Sequence, residues 1–451
     1  MTRALALVDG EHYPPTTRWA LASARAEGYD VVACLFVGGT EKVPAEGLDL
    51  GDVTVERAGR DLHASVSEAI ARHHPDLVLD LSDEPVLGYR ERGIVAAAAL
   101  TAGVRYAGPD FALEPPVAGP PLSVPTLAVI GTGKRTGKTA ITGEAGRASA
   151  RAGLDPVVVA MGRGGPPAPQ VAEAGTVTRE RLLELARAGG HAASDYLEDA
   201  LTTGVTTIGA RRAGGGLAGR PFVTNLREAA HLAERREPVP GLVILDGSGS
   251  AVPPLPWDAG VLVAPADIPV EYLTGYLGPY RLLLSDLVVI TMMSGPRVGP
   301  QSEGQEDPSD LTSHVRRLHP GARIVVTTLR PVPLDDVEGK KVYLTTTAPS
   351  PAGPDLVSWL EEHHRCSVVG VSHQLADRPA LLAELNAAPP YDVLLTELKA
   401  AAIDVAVEDA LNRGAEVVFL DNRPETADGD GDVSELLLET ARLAVERAGN
   451  R

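Results

Sequence analysis

The sequence predicts an α/β protein: a central parallel sheet built around a phosphate-binding loop, with a further α/β domain on either side. Three observations point there. Apolar runs of strand length alternate with amphipathic helical stretches along the whole chain, the pattern of parallel sheets covered on both faces. From Thr126 a strand, a glycine-rich turn and a helix follow in the order that a phosphate cradle needs. Just before them, "LEPPVAGPPLSVP" (113–125) is too dense in proline and glycine to continue either kind of element. A chain of 451 residues also exceeds what one core usually serves. The expected domains are 1–120, 121–340, which carries the chemistry, and 341–451.

In the first domain "ALALVDG" (4–10) reads as a buried strand and "TTRWALASARAEGY" (16–29) as the helix after it. "DVVACLFVGG" and "DLVLDLSD" are further strands, and "DLHASVSEAIARHHP" and "RGIVAAAALTAGV" are helices. The second series has strands at 126–130, 156–161, 241–247, 259–265, 287–293 and 323–329. Between Arg163 and Pro240 the reading is of helices and glycine-rich turns, "ARRAGGGLAGRP" (210–221) among them. The polar stretch 295–310 reads as a mobile loop. A third βα series starts near Lys341 and ends with "YDVLLTELKAAAIDVAVEDALNRGAEVVFLDNRPE". No fixed-period repeat is present.

Composition narrows the partners. A net charge of −19 argues against a general binder of nucleic acid or anionic membrane, and 4% aromatic residues leave little for base stacking. Cys34 and Cys366 lie far apart and form no CxxC, so neither a disulfide framework nor a zinc site is indicated. The first residues hold too short an apolar stretch for a signal peptide, and no apolar run approaches ~20 residues, so a cytoplasmic protein is expected. A symmetric dimer is the default for such a protein.

The loop "GTGKRTGKT" comprises Gly131, Thr132, Gly133, Lys134, Arg135, Thr136, Gly137, Lys138 and Thr139. Its backbone N–H groups and the following helix terminus suit the phosphates of ATP, in the manner of P-loop NTPases. Lys138 is expected to bridge the β- and γ-phosphates, and the Thr139 hydroxyl to ligate Mg2+. Five residues separate Gly131 from Gly137, one more than the common motif, a longer form resembling that of dethiobiotin synthetase. Asp246, at the end of "LVILDGSGS", is the expected acidic ligand for the metal, with Asp267 a weaker candidate that reads as a turn residue. Adenine contacts are expected from "TMMSGP" (291–296) or "TTLRPVPL" (327–334), which turn chemistry explains equally well.

The loop carries more positive charge than a nucleotide needs. With Lys138 and the backbone serving ATP, Lys134, Arg135 and Arg163 are surplus, and Arg211, Arg212, Arg220 and Arg227 follow with Asn225 as a neutral donor. Each of the last four arginines alone reads equally well as solvated surface. Clustered guanidinium groups repel unless an anion compensates them, so a small substrate with more than one phosphate is the better reading. At the first strand end, Asp9, Glu11, His12 and Arg18 stand where α/β ligand sites lie. His12 reads more readily as a loop residue. Glu397 and Lys399, in "TELKAAA", are either a structural ion pair or part of a substrate cleft.

Together "LVDGEHYPP", "GTGKRTGKT", "VAMGRGGP", "VTNLREAA", "LDGSGS", "TELKAAAIDVA" and "FLDNRP" resemble the cyclic 2,3-diphosphoglycerate synthetase family, in order and over essentially the whole chain. The resemblance implies Rossmann-like outer domains around a P-loop NTPase core. It also implies ATP-dependent closure of 2,3-diphosphoglycerate into an internal pyrophosphate ring, with release of ADP and phosphate. It carries Lys138 and Thr139 over as nucleotide and metal residues, and it includes Lys134, Arg135 and Arg163 in matching motifs. Two other readings of the loop stay open: a kinase or carboxylate-activating ligase acting on a phosphoglycerate-like anion, and a nucleotide switch of the partitioning type. The last class opens its loop with Lys-Gly-Gly, which is missing here.

Overall fold

The computed structural model describes residues 1–43, 48–189, 191–291, 308–399 and 402–451. Residues 292–296 of the proposed adenine segment, most of the polar stretch 295–310, and residues 400–401 of "TELKAAA" lie outside the described residues.

The first sheet has six strands: β1 Thr2–Val8, β2 Tyr29–Phe36, β3 Val55–Arg57, β4 Leu77–Asp80, β5 Arg105–Gly108 and β6 Phe111–Leu113, in the order β3-β2-β1-β4-β5-β6. Only the β5–β6 pair is antiparallel. Leu5 and Leu7 pack under Val66 and Ile70 of one helix and Val95 and Ala99 of another. The chain order reverses between β1 and β4, where the loops leaving both strands part.

The second sheet runs through the rest of the chain. Its strands are β7 Thr126–Gly131, β8 Pro156–Gly162, β9 Gln170–Ala172, β10 Thr207–Ala213, β11 Val223–Thr224, β12 Leu242–Asp246, β13 Ala259–Pro265, β14 Leu287–Thr291, β15 Arg323–Pro333, β16 Lys341–Thr345, β17 Ser367–Ser372, β18 Val393–Glu397 and β19 Glu416–Gly429. The order is β11-β10-β8-β12-β7-β13-β14-β15-β19-β18-β16-β17, with β9 beside β10. From β10 to β15 that path is parallel. Leu127, Val129, Ile244 and Val261 have no exposure, because helices cover both faces.

Four features depart from the expectation. The stretch read as helices and turns contains β10, whose Gly209 and paired arginines break the apolar run that would have marked a strand. "TTLRPVPL" is no adenine loop, because residues 325–333 pair antiparallel with β19. Arg163 follows β8, which is not beside the P-loop strand; β12 lies between them and brings Asp246 next to β7. Finally, the β15–β19 pairing carries one sheet across residue 340.

The last helix, Val433–Gly449, returns to the P-loop core and places Leu436, Leu437 and Ala441 against Leu127, Val129 and Ile141. Arg147 of the P-loop helix adds buried ion pairs to Asp421 (2.9 Å) and Glu144 (3.0 Å). Leu437→Ala is therefore expected to destabilise the core by about 2–5 kcal/mol, the cost of a cavity at a fully buried site. A denaturant midpoint unchanged from wild type would place this helix outside the cooperative core.

Candidate functional site: an anion cradle with two guanidinium groups beside it

The P-loop turns between β7 and the helix Lys138–Arg151. Gly137 caps that helix at φ +87°, and Arg135 also takes a left-handed φ of +62°, so the backbone wraps around a concavity. Gly131 has a steric reason: a methyl group there would stand 2.9 Å from Cδ of Lys138 and 3.0 Å from its Nζ. Lys138 folds back over the loop, its Nζ donating to Gly133 O (2.9 Å) and to Thr136 Oγ1 (3.4 Å). The loop is pinned from behind, with Thr132 N donating to Val263 O (3.2 Å) and Thr291 Oγ1 to Thr136 O (2.6 Å). Thr132 Oγ1 is buried without a partner. Burial lowers the Lys138 pKa, opposed by Asp246 and Asp195 and reinforced by Arg163 and Arg212. Lys134 and Arg135 are exposed, and Thr139 is half-buried in the first helical turn.

Arg163 and Arg212 converge on the turn after Asp246. A methyl group at Gly249 would lie 3.2 Å from Nη2 of each. Arg212 is 9% exposed; its Nη2 donates to Ser248 O (2.9 Å) and its Nη1 to Gly214 O (2.7 Å). Its Nε is buried with no partner. Burial, and then the neighbouring Arg163, push the Arg212 pKa down. Two guanidinium groups set this close repel one another unless an anion compensates them.

The other predicted residues of this stretch are used differently. On β10 side chains alternate, so Arg212 points inward and Arg211 outward. Arg211 donates from Nε to Gly165 O (2.6 Å). Asn225 accepts from Arg211 N (2.6 Å) and donates to the carbonyls of Pro166 and Pro167. Arg220 is exposed in the glycine-rich turn. Arg227 donates to the carbonyls of Ala118, Pro120 and Pro254, tying the linker between sheets to the core. Arg227→Ala is expected to lower the thermal midpoint by several degrees, leaving acceptor KM within about threefold of wild type. An unchanged midpoint with a tenfold higher KM would instead make Arg227 a ligand residue.

Two acids, Asp246 and Asp195, stand within electrostatic reach of Lys138. One oxygen of Asp246, 3% exposed, accepts from Thr142 Oγ1 (2.8 Å) on the P-loop helix. Burial raises its pKa, while Lys138 and that hydrogen bond lower it. Asp195 was missed by sequence reasoning. It begins the helix Asp195–Thr203, and its Oδ2 lies 3.1 Å from where a methyl group at Gly162 would be. Asp199, one turn further, is fully buried with both oxygens unpartnered. Burial lifts the Glu198 carboxyl to about 7, although Lys399 lowers it. Lys399 reaches Glu198 at 3.3 Å. Glu397 turns to Thr346, Thr347 and Asn422. Asp267 is exposed in a turn after β13.

Among the described residues no three His, Cys, Asp or Glu side chains converge as a closed metal cage. Mg2+ does not need one: it binds through one or two carboxylates plus phosphate oxygens and waters. Thr139, next to Lys138 in the chain, and Asp246 and Asp195, within electrostatic reach of Lys138, fit such an ion.

The N-terminal candidates make their bonds within their own domain. His12 is held between Asp9 Oδ1 (2.8 Å from Nδ1) and Asp83 Oδ2 (3.3 Å from Nε2), at the point where β1 and β4 diverge. Glu11 N donates to Asp9, and Arg18 donates to Asp49 O (2.7 Å). Among the described residues no helix is long and apolar enough to cross a membrane.

Comparison with known proteins agrees with this geometry. Three family models match in order: the N-terminal domain of cyclic 2,3-diphosphoglycerate synthetase over residues 3–114, its P-loop domain over 126–328 and its C-terminal domain over 333–423. A cyclic 2,3-diphosphoglycerate synthetase from Rubrobacter xylanophilus is 45% identical over 100% of this chain and 99% of its own length. Those of Methanothermobacter thermautotrophicus and Methanothermus fervidus are 40% and 38% identical, over 95% and 98% of this chain and 93% and 98% of their own. Matched end to end at these identities, the chain belongs to the cyclic 2,3-diphosphoglycerate synthetase family of enzymes.

Proposed function

We propose that the enzyme uses ATP to close 2,3-diphosphoglycerate into cyclic 2,3-diphosphoglycerate, releasing ADP and phosphate. The observation that carries this reading is the pair Arg163 and Arg212, side by side beyond Asp246 with a donor unused, next to a complete P-loop. A nucleotide kept in the loop leaves that pair for a second anion. An acceptor with two phosphates and a carboxylate matches the surplus charge of Lys134, Arg135, Arg163 and Arg212.

The chemistry balances in two steps. An oxygen of one acceptor phosphate attacks the γ-phosphorus of ATP, and the bond to the β-phosphate oxygen breaks, leaving ADP. An oxygen of the other acceptor phosphate then attacks the acceptor's own activated phosphorus. The ring anhydride forms and the transferred group leaves as phosphate. Lys138 follows the charge on the γ-phosphoryl, and the loop N–H groups hold the β-phosphate. Arg163 and Arg212 screen the two acceptor phosphates as they approach and fix the angle of attack. Thr139, Asp246 and Asp195 would hold a magnesium ion arriving with the nucleotide, which would supply positive charge to the phosphates. No strong general base is required, because phosphate oxygens are already ionised at neutral pH.

The first test is coupling. ADP release followed with a coupled assay should require 2,3-diphosphoglycerate, with one ADP formed per acceptor consumed. Acceptor-independent ADP release at the full rate would sink the reading.

A further inference from the structure

The inference rests on the nucleotide site just described and concerns a residue that the mechanism leaves idle. Helix Asp195–Thr203 lies along the P-loop helix. Methyl groups at Gly143 and Gly146 would stand 3.6 and 3.7 Å from Thr203 Cγ2, and Arg147 donates to Thr202 O (3.1 Å). Residues four apart share a helix face, so Asp195, Asp199 and Thr203 form one stripe along this contact. The top of the stripe is at the phosphate end, because Asp195 sits against Gly162 at the end of β8. One turn above Thr203 along that stripe, Asp199 is set toward the end of the P-loop helix where Asp246 bonds to Thr142, and it interacts electrostatically with Asp246.

Asp199 is completely buried, and neither of its oxygens has a hydrogen-bond partner. It is within electrostatic reach of Asp246, Glu198 and Asp195. Buried carboxylates are almost always paired, and one set among other acids is costly unless positive charge or bound water reaches it. Lys399 does not supply its hydrogen bond, because that ammonium goes to Glu198.

We propose that Asp199 accepts hydrogen bonds from the water shell of the magnesium ion that enters with the nucleotide, on the side away from the phosphates. Mg2+ sheds its waters reluctantly, and carboxylates that orient those waters tune metal affinity nearly as strongly as direct ligands do. A role through water also agrees with the lack of three convergent acidic ligands among the described residues.

The test is titration calorimetry of a non-hydrolysable ATP analogue, with and without Mg2+, on wild type, Asp199→Asn and Asp199→Ser. Without metal, both variants should bind the analogue within about threefold of wild type. The gain in affinity on adding Mg2+ should shrink by at least about tenfold. Electron paramagnetic resonance should show correspondingly weaker Mn2+ binding to the nucleotide complex. The thermal midpoint of the free variants should equal or exceed wild type, since a structural carboxylate with partners would show the opposite. An undiminished Mg2+-dependent gain in either folded variant overturns the proposal, as does a lowered midpoint in both. Lys138→Ala in the same titrations separates the two claims: unchanged nucleotide affinity there would overturn the nucleotide site itself.

Discussion

Lys138→Ala is expected to lower turnover by at least about a hundredfold while leaving the fold intact. Among the described residues the ammonium bonds to Gly133 O and Thr136 Oγ1, both neutral groups within its own loop. Losing them touches no other element, so the stability change should stay within about 1 kcal/mol. Function is another matter. Burial depresses the Lys138 pKa, with Asp246 and Asp195 holding part of it up. Phosphate oxygens would restore the favourable environment that burial removes. The charge that builds on the transferred γ-phosphoryl then meets a pre-placed cation, and such clamps are worth several kcal/mol in the transition state. The check is kcat from ADP release alongside a thermal melt. A variant that keeps more than about a tenth of the wild-type rate would mean that Lys138 does not touch the moving phosphoryl.

Arg212→Ala is expected to raise the acceptor Kd by roughly ten- to a hundredfold, the worth of about 1.5–3 kcal/mol in charge-assisted bonds. Affinity for ATP alone should move by less than about threefold. The separation follows from position. Arg212 lies beyond the turn that follows Asp246, anchored to Ser248 O and Gly214 O, with Nε still free. Arg212→Lys should recover only part of the loss, because an ammonium cannot reproduce the planar fork. Some destabilisation is expected as well, since truncation unpairs two carbonyls. Arg163→Ala provides a second variant at an exposed position with the same expected selectivity. Equal losses for acceptor and nucleotide would assign both arginines to ATP.

Much of the fold and the cradle was legible in the sequence because the signals are local. A strand, a turn with glycines at 131 and 137, and a helix announce the P-loop, since sterics around Lys138 leave little choice at Gly131. Asp246 was legible for a similar reason: it ends an apolar run immediately before a flexible turn. The residues that were missed depend on phase or on distant contacts. "ARR" does not say which arginine faces inward; that requires knowing that 207–213 is a strand, and Gly209 hides it. Asp195 stands where acids commonly favour a helix N-terminus, and Asp199 follows one turn on in a stretch that reads as an ordinary polar helix, so nothing marks the first as half-buried or the second as fully buried. Their burial comes from the P-loop helix on one side and from Leu398 and Ile403 of the third series in the same core as Tyr196 and Leu197. The return of Val433–Gly449 to the first strands of the P-loop core joins positions about 300 residues apart, which no window on the sequence can show.

The central claim is that the energy of ATP closes a ring on the acceptor rather than merely adding a phosphate to it. Phosphorus NMR of the enzyme with ATP, Mg2+ and 2,3-diphosphoglycerate tests this in one measurement. The two phosphomonoester resonances of the acceptor should disappear as a pair of pyrophosphate resonances grows, with ADP and free phosphate rising in step. A new phosphorylated acceptor that accumulates without free phosphate would mean a kinase. Formation of ADP and phosphate with the acceptor resonances unchanged would mean a nucleotide switch, and either result would contradict the cyclising function.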